Sequence, residues 1–330
     1  QRQMCIRDRD TPVIESSEVL LAKAGGETEK QIYRFQKGDA DLALRFDLTV
    51  PLAKYVALHY NELSFPFRRY QIGKVYRGER AQRGRFREFY QADIDIIGDG
   101  KLDITNEAEI PSIIYQTFST LGLKRFQIRV NNRKILNGFY AMLGLTEKSA
   151  DVMRTVDKLD KIGADGVKKE LLEKEFDAAA VEALDEFLRA GDFSLDAVTA
   201  RVGDETLTAD LRYVIATAEK IANGRYGIAY APSLVRGQGY YTGMVFEVTC
   251  PQFSGAVAGG GRYDNMVGKF IGQQVPAVGF SIGFERVCGI LLEQDYQIPG
   301  AKQKLALLYL KDADFAAVLA KADALRAAYD

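Results

Sequence analysis

The stretch Pro66–Gly98, PFRRYQIGKVYRGERAQRGRFREFYQADIDIIG, decides how the rest of the chain reads. Residues 66–88 hold eight Lys or Arg against two acids, while the whole chain carries a formal charge of −1, so the excess is local. Two runs with strand spacing, 69–76 and 85–97, flank a polar loop containing glycine, which predicts a hairpin. Positive charge held on a rigid hairpin suits an anionic ligand such as a nucleotide phosphate.

Side chains alternate across a strand, so Arg85, Arg87, Phe89, Gln91, Asp93 and Asp95 share one face. Phe86, Tyr90, Ala92, Ile94 and Ile96 share the other, which the pattern assigns to the core. The polar face fits the solvated side of an edge strand. Its order also fits a ligand: arginines first, then an aromatic plate, then acids, a gradient for a molecule with a phosphate end and a cationic end.

Working outward, 11–15 is a strand candidate, and 32–35 with 42–46 a hairpin around a turn-rich 36–41. Residues 49–60 have helical apolar spacing, with Pro51 in the first turn. A helix over 107–121 and a strand over 125–130 follow. From 146 to about 223 the composition turns to Ala, Leu, Lys, Glu and Asp. Helices are expected there over 150–162, 164–173, 178–190 and 208–222. Strand character returns over 227–283. Residues 304–310 read as a strand and 314–329 as a helix, the opening of an incomplete domain. Gln1–Arg9 lacks strand or helix pattern and reads as a foreign or truncated leader.

Three further elements carry candidate chemistry. In 234–248, LVRGQGYYTGMVFEV, Arg236 lies in an apolar, aromatic run between glycines. A buried arginine needs an anionic partner, and Glu247 is the candidate within the chain. In 275–292, a strand passes through Gly279 and Gly283 into a helix with Arg286 in its first turn. The macrodipole disfavours a cation there, so either a compensating anion or solvent faces it. Gly259-Gly260-Gly261 would permit close backbone approach to a ligand. No Walker A loop is present, nor a dinucleotide-binding glycine fingerprint in context.

Composition narrows the field. His59 is the only histidine, which excludes a metal site built on histidines. The cysteines at 5, 250 and 288 are odd in number and far apart, against a disulfide framework and in keeping with a reducing cytosol. No apolar run has membrane-spanning length, so no membrane role is expected.

Together these elements resemble the class II aminoacyl-tRNA synthetases, and within them the histidyl-tRNA synthetase family. Tyr76-Arg77-Gly78-Glu79 with Gly84-Arg85-Phe86-Arg87-Glu88-Phe89-Tyr90-Gln91 is similar to motif 2. The run Gly279-Phe280-Ser281-Ile282-Gly283-Phe284-Glu285-Arg286 is similar to motif 3, and Thr11-Pro12-Val13-Ile14-Glu15 to the end of motif 1. Leu44-Arg45-Phe46-Asp47-Leu48-Thr49 and Leu234-Val235-Arg236-Gly237 with Tyr240-Tyr241-Thr242-Gly243 resemble the histidine-specific signatures. The fold implied is α+β: an antiparallel sheet flanked by helices, with a helical insertion and the start of a C-terminal α/β domain. The organisation implied is a non-native or disordered leader over 1–10 and a catalytic domain over 11–145 and 226–298. A helical insertion over 146–225 interrupts it, and the start of an anticodon-binding domain follows over 299–330.

The resemblance also implies roles. Arg77 and Arg236 would be catalytic. Arg77, Glu79, Arg85, Phe89 and Arg286 would bind ATP. Asp47, Thr49, Gln91, Asp95, Tyr240, Tyr241 and Tyr263 would bind L-histidine. Mg²⁺ would ride on the ATP phosphates, with no protein-ligated metal. The implied partners are tRNA(His), L-histidine, ATP and a second copy of the chain in a cytoplasmic homodimer. One departure stands out: the family often has Leu-Asp where this chain has Gln238-Gly239, which removes a carboxylate near Arg236. A histidine-sensing paralogue, similar to the regulatory subunit of ATP phosphoribosyltransferase, is the competing reading. Such paralogues tend to lose the ATP-binding arginines that this chain has at 77, 236 and 286.

Overall fold

A computed structural model describes residues 6–21, 27–80, 84–123, 125–145, 149–156, 158–192, 194–234, 240–298, 304–326 and 329. The strands are β1 (Ile6–Asp8), β2 (Ile14–Ser16), β3 (Arg34–Lys37), β4 (Ala40–Leu44), β5 (Phe67–Tyr76), β6 (Glu88–Ile97), β7 (Gln127–Asn132), β8 (Ile228–Tyr230), β9 (Met244–Thr249), β10 (Ala256–Arg262) and β11 (Ala277–Gly283). The helices are α1 (Ser17–Leu21), α2 (Glu27–Gln31), α3 (Thr49–Leu58), α4 (Thr105–Thr120), α5 (Arg133–Met142), α6 (Ser149–Val156), α7 (Leu159–Glu173), α8 (Ala178–Ala190), α9 (Leu195–Val202), α10 (Thr206–Ala222), α11 (Gly268–Ile271), α12 (Phe284–Glu293) and α13 (Phe315–Arg326). The chain divides into two units, residues 1–290 and 291–330.

In the first unit, the main sheet runs β1-β5-β6-β11-β10-β9-β7-β8. Its inner pairings are antiparallel, and only the outermost ones, β1 with β5 and β7 with β8, are parallel. A small sheet, β2-β4-β3, stands apart from it. Ile6–Asp8, in the stretch expected to lack strand pattern, pairs with Arg68–Tyr70.

The structure corrects the reading of β6. It is not an edge strand, because β5 pairs along one side and β11 along the other. Both of its faces hold buried residues, Ile96 on the expected core face among them. Gln91, Asp93 and Asp95 are buried, whereas Tyr90 and Phe86 are exposed. On β5, Arg69, Gln71 and Val75 point inward while Tyr70 and Ile72 are exposed. Alternation grouped the residues by face, and hydrophobicity anticipated the burial of Ile96 but not that of Gln91, Asp93 and Asp95. The polar row is buried because its groups answer one another across strands.

The apolar core adjoining this sheet packs α3 through Leu52 and Val56 against Phe67, Ile97, Met266 and Val275. The helical insertion, α5 to α10, enters after β7 and returns at β8. It has its own core, including Val152, Val167, Leu171, Val181 and Leu184. Each such side chain contributes about 1.5–3 kcal/mol on burial. Local signals set its boundaries. Asn132 caps α5 by accepting from the Lys134 backbone N–H, and Asp177 caps α8 from the Ala180 N–H. Gly191 ends α8 with φ +71°, which glycine adopts without strain. The expected helix over 150–162 instead stops at Val156, and α7 begins at Leu159 with non-helical Gly163 inside it. Helices α5 and α9 had no counterpart in the sequence reading.

In the second unit, 304–310 makes no strand ladder among the described residues, contrary to expectation. Its apolar side chains are exposed, and an extended segment without a partner strand has no ladder to join. Helix α13 follows, with Tyr309 and Phe315 in ring contact at 5.9 Å.

Candidate active site

The inward row of β6 forms the floor of a cavity of about 130 Å³. Register fixes what stands beside each residue. Gln91 lies between Gly73 and Gly283, Asp93 between Gln71 and Ser281, and Asp95 between Arg69 and Gly279. From Gly283, at the foot of α12, to Gly279 is four residues, roughly 13 Å of strand. The cavity therefore has an arginine-rich end near α12 and a carboxylate end near Asp95.

At the carboxylate end, Asp95 accepts a hydrogen bond from the Tyr263 hydroxyl. Its other oxygen lies 2.9 Å from Arg69 Nη2. Arg69 is wholly buried and also donates to the Leu48 carbonyl. The Asp95 carboxylate occupies the place where a Cβ on Gly279 would stand, 2.0 Å from Oδ1, so this position requires glycine. Burial pushes the Asp95 carboxyl above its ordinary pKa despite Arg69 and Tyr263. Asp47 accepts from the backbone N–H groups of Thr49 and Val50 at 3.0 and 2.9 Å, which anchors it at the start of α3. Burial raises its pKa too, opposed by those N–H groups and by Arg77. The Tyr240 ring lies tilted against Tyr241 and edge-on to Tyr263, at 4.7 and 6.0 Å between ring centroids.

At the other end, Arg77 lies between two rings, 4.3 Å from Phe46 and 5.0 Å from Phe89. It donates to the Phe46 carbonyl and to Gln91 Oε1, both at 3.1 Å. Among the described residues no carboxylate forms an ion pair with it. Burial lowers its pKa, while the more distant Asp47 and Glu79 raise it. A half-buried cation held this way and facing a cavity suits an anionic group. Arg286 is not turned to solvent. Its Nε donates to the Gly84 carbonyl at 3.0 Å and its Nη1 to the Ala256 carbonyl at 2.6 Å, over the Phe253 ring. Arg85 is more exposed and lies 3.5 Å from Glu79.

The cavity brings together Asp47, Thr49, Arg77, Glu79, Arg85, Phe89, Gln91, Asp95, Tyr240, Tyr241, Tyr263 and Arg286. Arg236 lies outside the described residues. Its suggested partner Glu247 pairs with Arg129 at 3.4 Å. Gly260 and Gly261 serve strand contacts: a Cβ on Gly260 would meet the Gly279 carbonyl at 2.0 Å, and one on Gly261 the Met244 carbonyl at 2.5 Å.

The sequence reading missed Asp93 as a site residue. It lines the cavity, it is buried, and its Oδ1 has no hydrogen-bond partner among the described residues. Burial pushes its pKa up to about 7; Arg69 and the Ser281 hydroxyl oppose this, and Asp95 and Asp47 reinforce it. Ser281 also accepts from Gln91 Nε2, which links Asp93 to Gln91 and so to Arg77. The signal was available: Asp93 sits between Gln91 and Asp95 in the alternating row.

The antiparallel sheet with flanking helices and a cavity on its inward face has the fold of the class II aminoacyl-tRNA synthetases. Comparison with known proteins agrees. The histidyl-tRNA synthetase family model matches residues 10–287. The histidine–tRNA ligase of Clostridium tetani is 48% identical over 291 residues, 84% of this chain and 65% of that protein. The Finegoldia magna histidine–tRNA ligase is 43% identical over 287 residues, 84% of this chain and 66% of that protein. The crystal structure of histidyl-tRNA synthetase from Nostoc sp. PCC 7120 superposes with a TM-score of 0.77 at 32% identity, covering 98% of this chain and 77% of that one. The chain belongs to the histidyl-tRNA synthetase family. It spans just under two thirds of the length of these two curated relatives.

Proposed function

We propose that the protein activates L-histidine with ATP and passes it to tRNA(His). The observation that carries this reading is the pairing, in one cavity, of Arg77 without a carboxylate partner and an opposite end built from Asp95, Tyr263 and Asp47. Family membership supports the assignment.

In this reading the histidine α-ammonium meets Asp47, Thr49 and Gln91, and its imidazole meets Asp95, Tyr241 and Tyr263, with Tyr240 alongside. Phe89 and Arg286 hold the two faces of adenine, and Glu79 contacts its edge. Arg77 and Arg85 bind phosphate oxygens, and Arg236 acts as a fixed cation on the α-phosphate. The histidine carboxylate attacks the α-phosphorus in line. A carboxylate–phosphorus bond forms as the bond to the β-phosphate oxygen breaks, giving histidyl-adenylate and pyrophosphate. The nucleophile is already ionised, so the step needs positioning and stabilisation of phosphoryl charge rather than a titrating base. Guanidinium groups supply both. A terminal hydroxyl of tRNA then takes the acyl group and AMP leaves.

Mg²⁺ would enter as part of the nucleotide substrate. Among the described residues no group of three potential ligand side chains comes together. The separate carboxylates of Glu79 and Glu285 suit an ion held mainly by phosphate oxygens and water. No described helix is long and apolar enough to cross a membrane. The reading also assigns the protein to the cytoplasm as a homodimer.

The test is histidine-dependent exchange of pyrophosphate into ATP. Exchange that requires histidine is the expected result. Histidine binding without exchange would instead support the sensor reading. A structure described as an ATP phosphoribosyltransferase regulatory subunit/histidyl-tRNA synthetase from Bacillus halodurans shares the fold, with a TM-score of 0.74 at 21% identity.

A further inference from the structure

A second cavity, of about 110 Å³, lies within the helical insertion and reaches the end of β8. Ile135 and Tyr140 of α5, Val198 of α9, and Tyr230, Pro232 and Ser233 are among its walls, and none of its described lining residues is charged. Two phenols break the apolar lining. Tyr140 is 1% exposed and Tyr230 is half-buried. Among the described residues neither hydroxyl makes a hydrogen bond, and burial raises the pKa of both. Ser233 Oγ already accepts from Arg129. Two phenol hydroxyls that meet no partner among the described residues thus line one small apolar cavity, where they are free to donate to a ligand oxygen.

We propose that this cavity is a second ligand site, for an uncharged single-ring aromatic molecule whose one oxygen takes hydrogen bonds from Tyr140 and Tyr230. At about 110 Å³ the cavity is smaller than the apolar cavity of about 150 Å³ that accepts benzene, which limits the ligand to a single ring and asks the walls to yield a little. A charged ligand is excluded because nothing in the described lining would pair with it.

The site is tied to the active cavity through α5. The helix that supplies Ile135 and Tyr140 begins at Arg133, whose Nη1 donates to the Tyr241 carbonyl at 3.2 Å and whose backbone N–H donates to the Gly243 carbonyl at 3.0 Å. Asn131, just before α5, donates to the Pro232 and Leu234 carbonyls at 3.1 and 3.0 Å. A ring seated between α5 and Pro232 therefore stiffens the support of Tyr241, and with it the amino-acid end of the active cavity. This coupling rests on the proposed histidine reading; the binding does not.

The test uses 4-fluorophenol, fluorobenzene and 4-fluorobenzoate, followed by ¹⁹F NMR on the whole chain. The phenol is expected to bind saturably, about fivefold tighter than fluorobenzene, as one net hydrogen bond provides. The benzoate should not bind. Tyr140→Phe should lower the phenol-to-benzene ratio, with Tyr230 still donating, and the double change Tyr140→Phe with Tyr230→Phe should bring it close to one while fluorobenzene binding survives. Val198→Trp should fill the cavity and abolish both. If that variant does not fold, Tyr140→Phe alone decides. Equal affinity for phenol and benzene in the wild type, an unchanged ratio in Tyr140→Phe, or no binding at about 10 mM overturns the site. Saturating 4-fluorophenol should also tighten histidine binding about threefold. An unchanged histidine affinity overturns the coupling. A wild type that binds the phenol but no histidine counts against the proposed function and leaves the cavity site standing.

Discussion

The inward face of β5, β6 and β11 and the interior of the helical insertion are both buried, yet they are built from opposite materials. The insertion packs Val152, Val167, Leu171, Val181 and Leu184, which lose nothing by leaving water. The sheet buries Arg69, Gln71, Gln91, Asp93 and Asp95, which lose a great deal. Arg69 with Asp95 and Tyr263 recovers part of that cost, and Asp93 Oδ1 recovers none of it. Such expense is concentrated where a ligand would complete the network, and apolar packing elsewhere carries it.

Three experiments break or sharpen this contrast. Arg77→Ala should lower histidine-dependent exchange about a thousandfold, because it removes a fixed positive group where phosphoryl charge develops. Its unfolding midpoint should stay near that of the wild type. A thermal collapse matching the lost activity would make Arg77 structural. Leu171→Ala should do the reverse. It opens a cavity in the insertion core and should cost about 3 kcal/mol in chemical denaturation, with little change in histidine affinity at low temperature. A large loss of affinity in the folded variant would erase the division between the two regions.

Asp93→Asn should have the smallest effect and the most telling pH dependence. The folded-state pKa, about 7, lies above the ordinary carboxylate value, so folding favours the protonated form. The contribution of Asp93 to stability is therefore complete below the unfolded pKa and is lost as pH rises through about 7. The variant should gain stability over the wild type at pH 8 by about 2 kcal/mol more than at pH 5, read from paired denaturation curves. Under the proposed reading, wild-type histidine binding should tighten as pH rises through neutrality, and the variant should lose that part of the dependence that comes from Asp93. A variant equally stable relative to wild type at both pH values would show that Asp93 does not titrate there.

Much of this was legible in the chain. Alternation grouped Gln91, Asp93 and Asp95 on one face, and the family resemblance named thirteen residues, of which the twelve described ones line one cavity. The choice of interior was not legible, because hydrophobicity ranks Tyr90 and Phe86 above Gln91 and Asp93. Only the partners across the sheet reverse that ranking: Arg69 and Gln71, brought opposite by the hairpin register, and Ser281, far away in sequence. The anchoring of Arg286 on two backbone carbonyls was hidden for the same reason. Helix α5 was missed because its start depends on the Asn132 cap at a strand end, where the apolar period changes within one residue.

Gly279 gives the carboxylate end an asymmetry with respect to change. Aspartate at 95 lies flat against a neighbouring backbone that offers no side chain, so the room available to an incoming amino acid is set by a missing methyl group as much as by any contact. Alanine at 279 would force the acid upward into that room. Substitutions there can therefore shrink or reshape the compartment but cannot enlarge it, which under the proposed reading makes position 279 a poor starting point for accepting bulkier amino acids and a sensitive one for rejecting histidine.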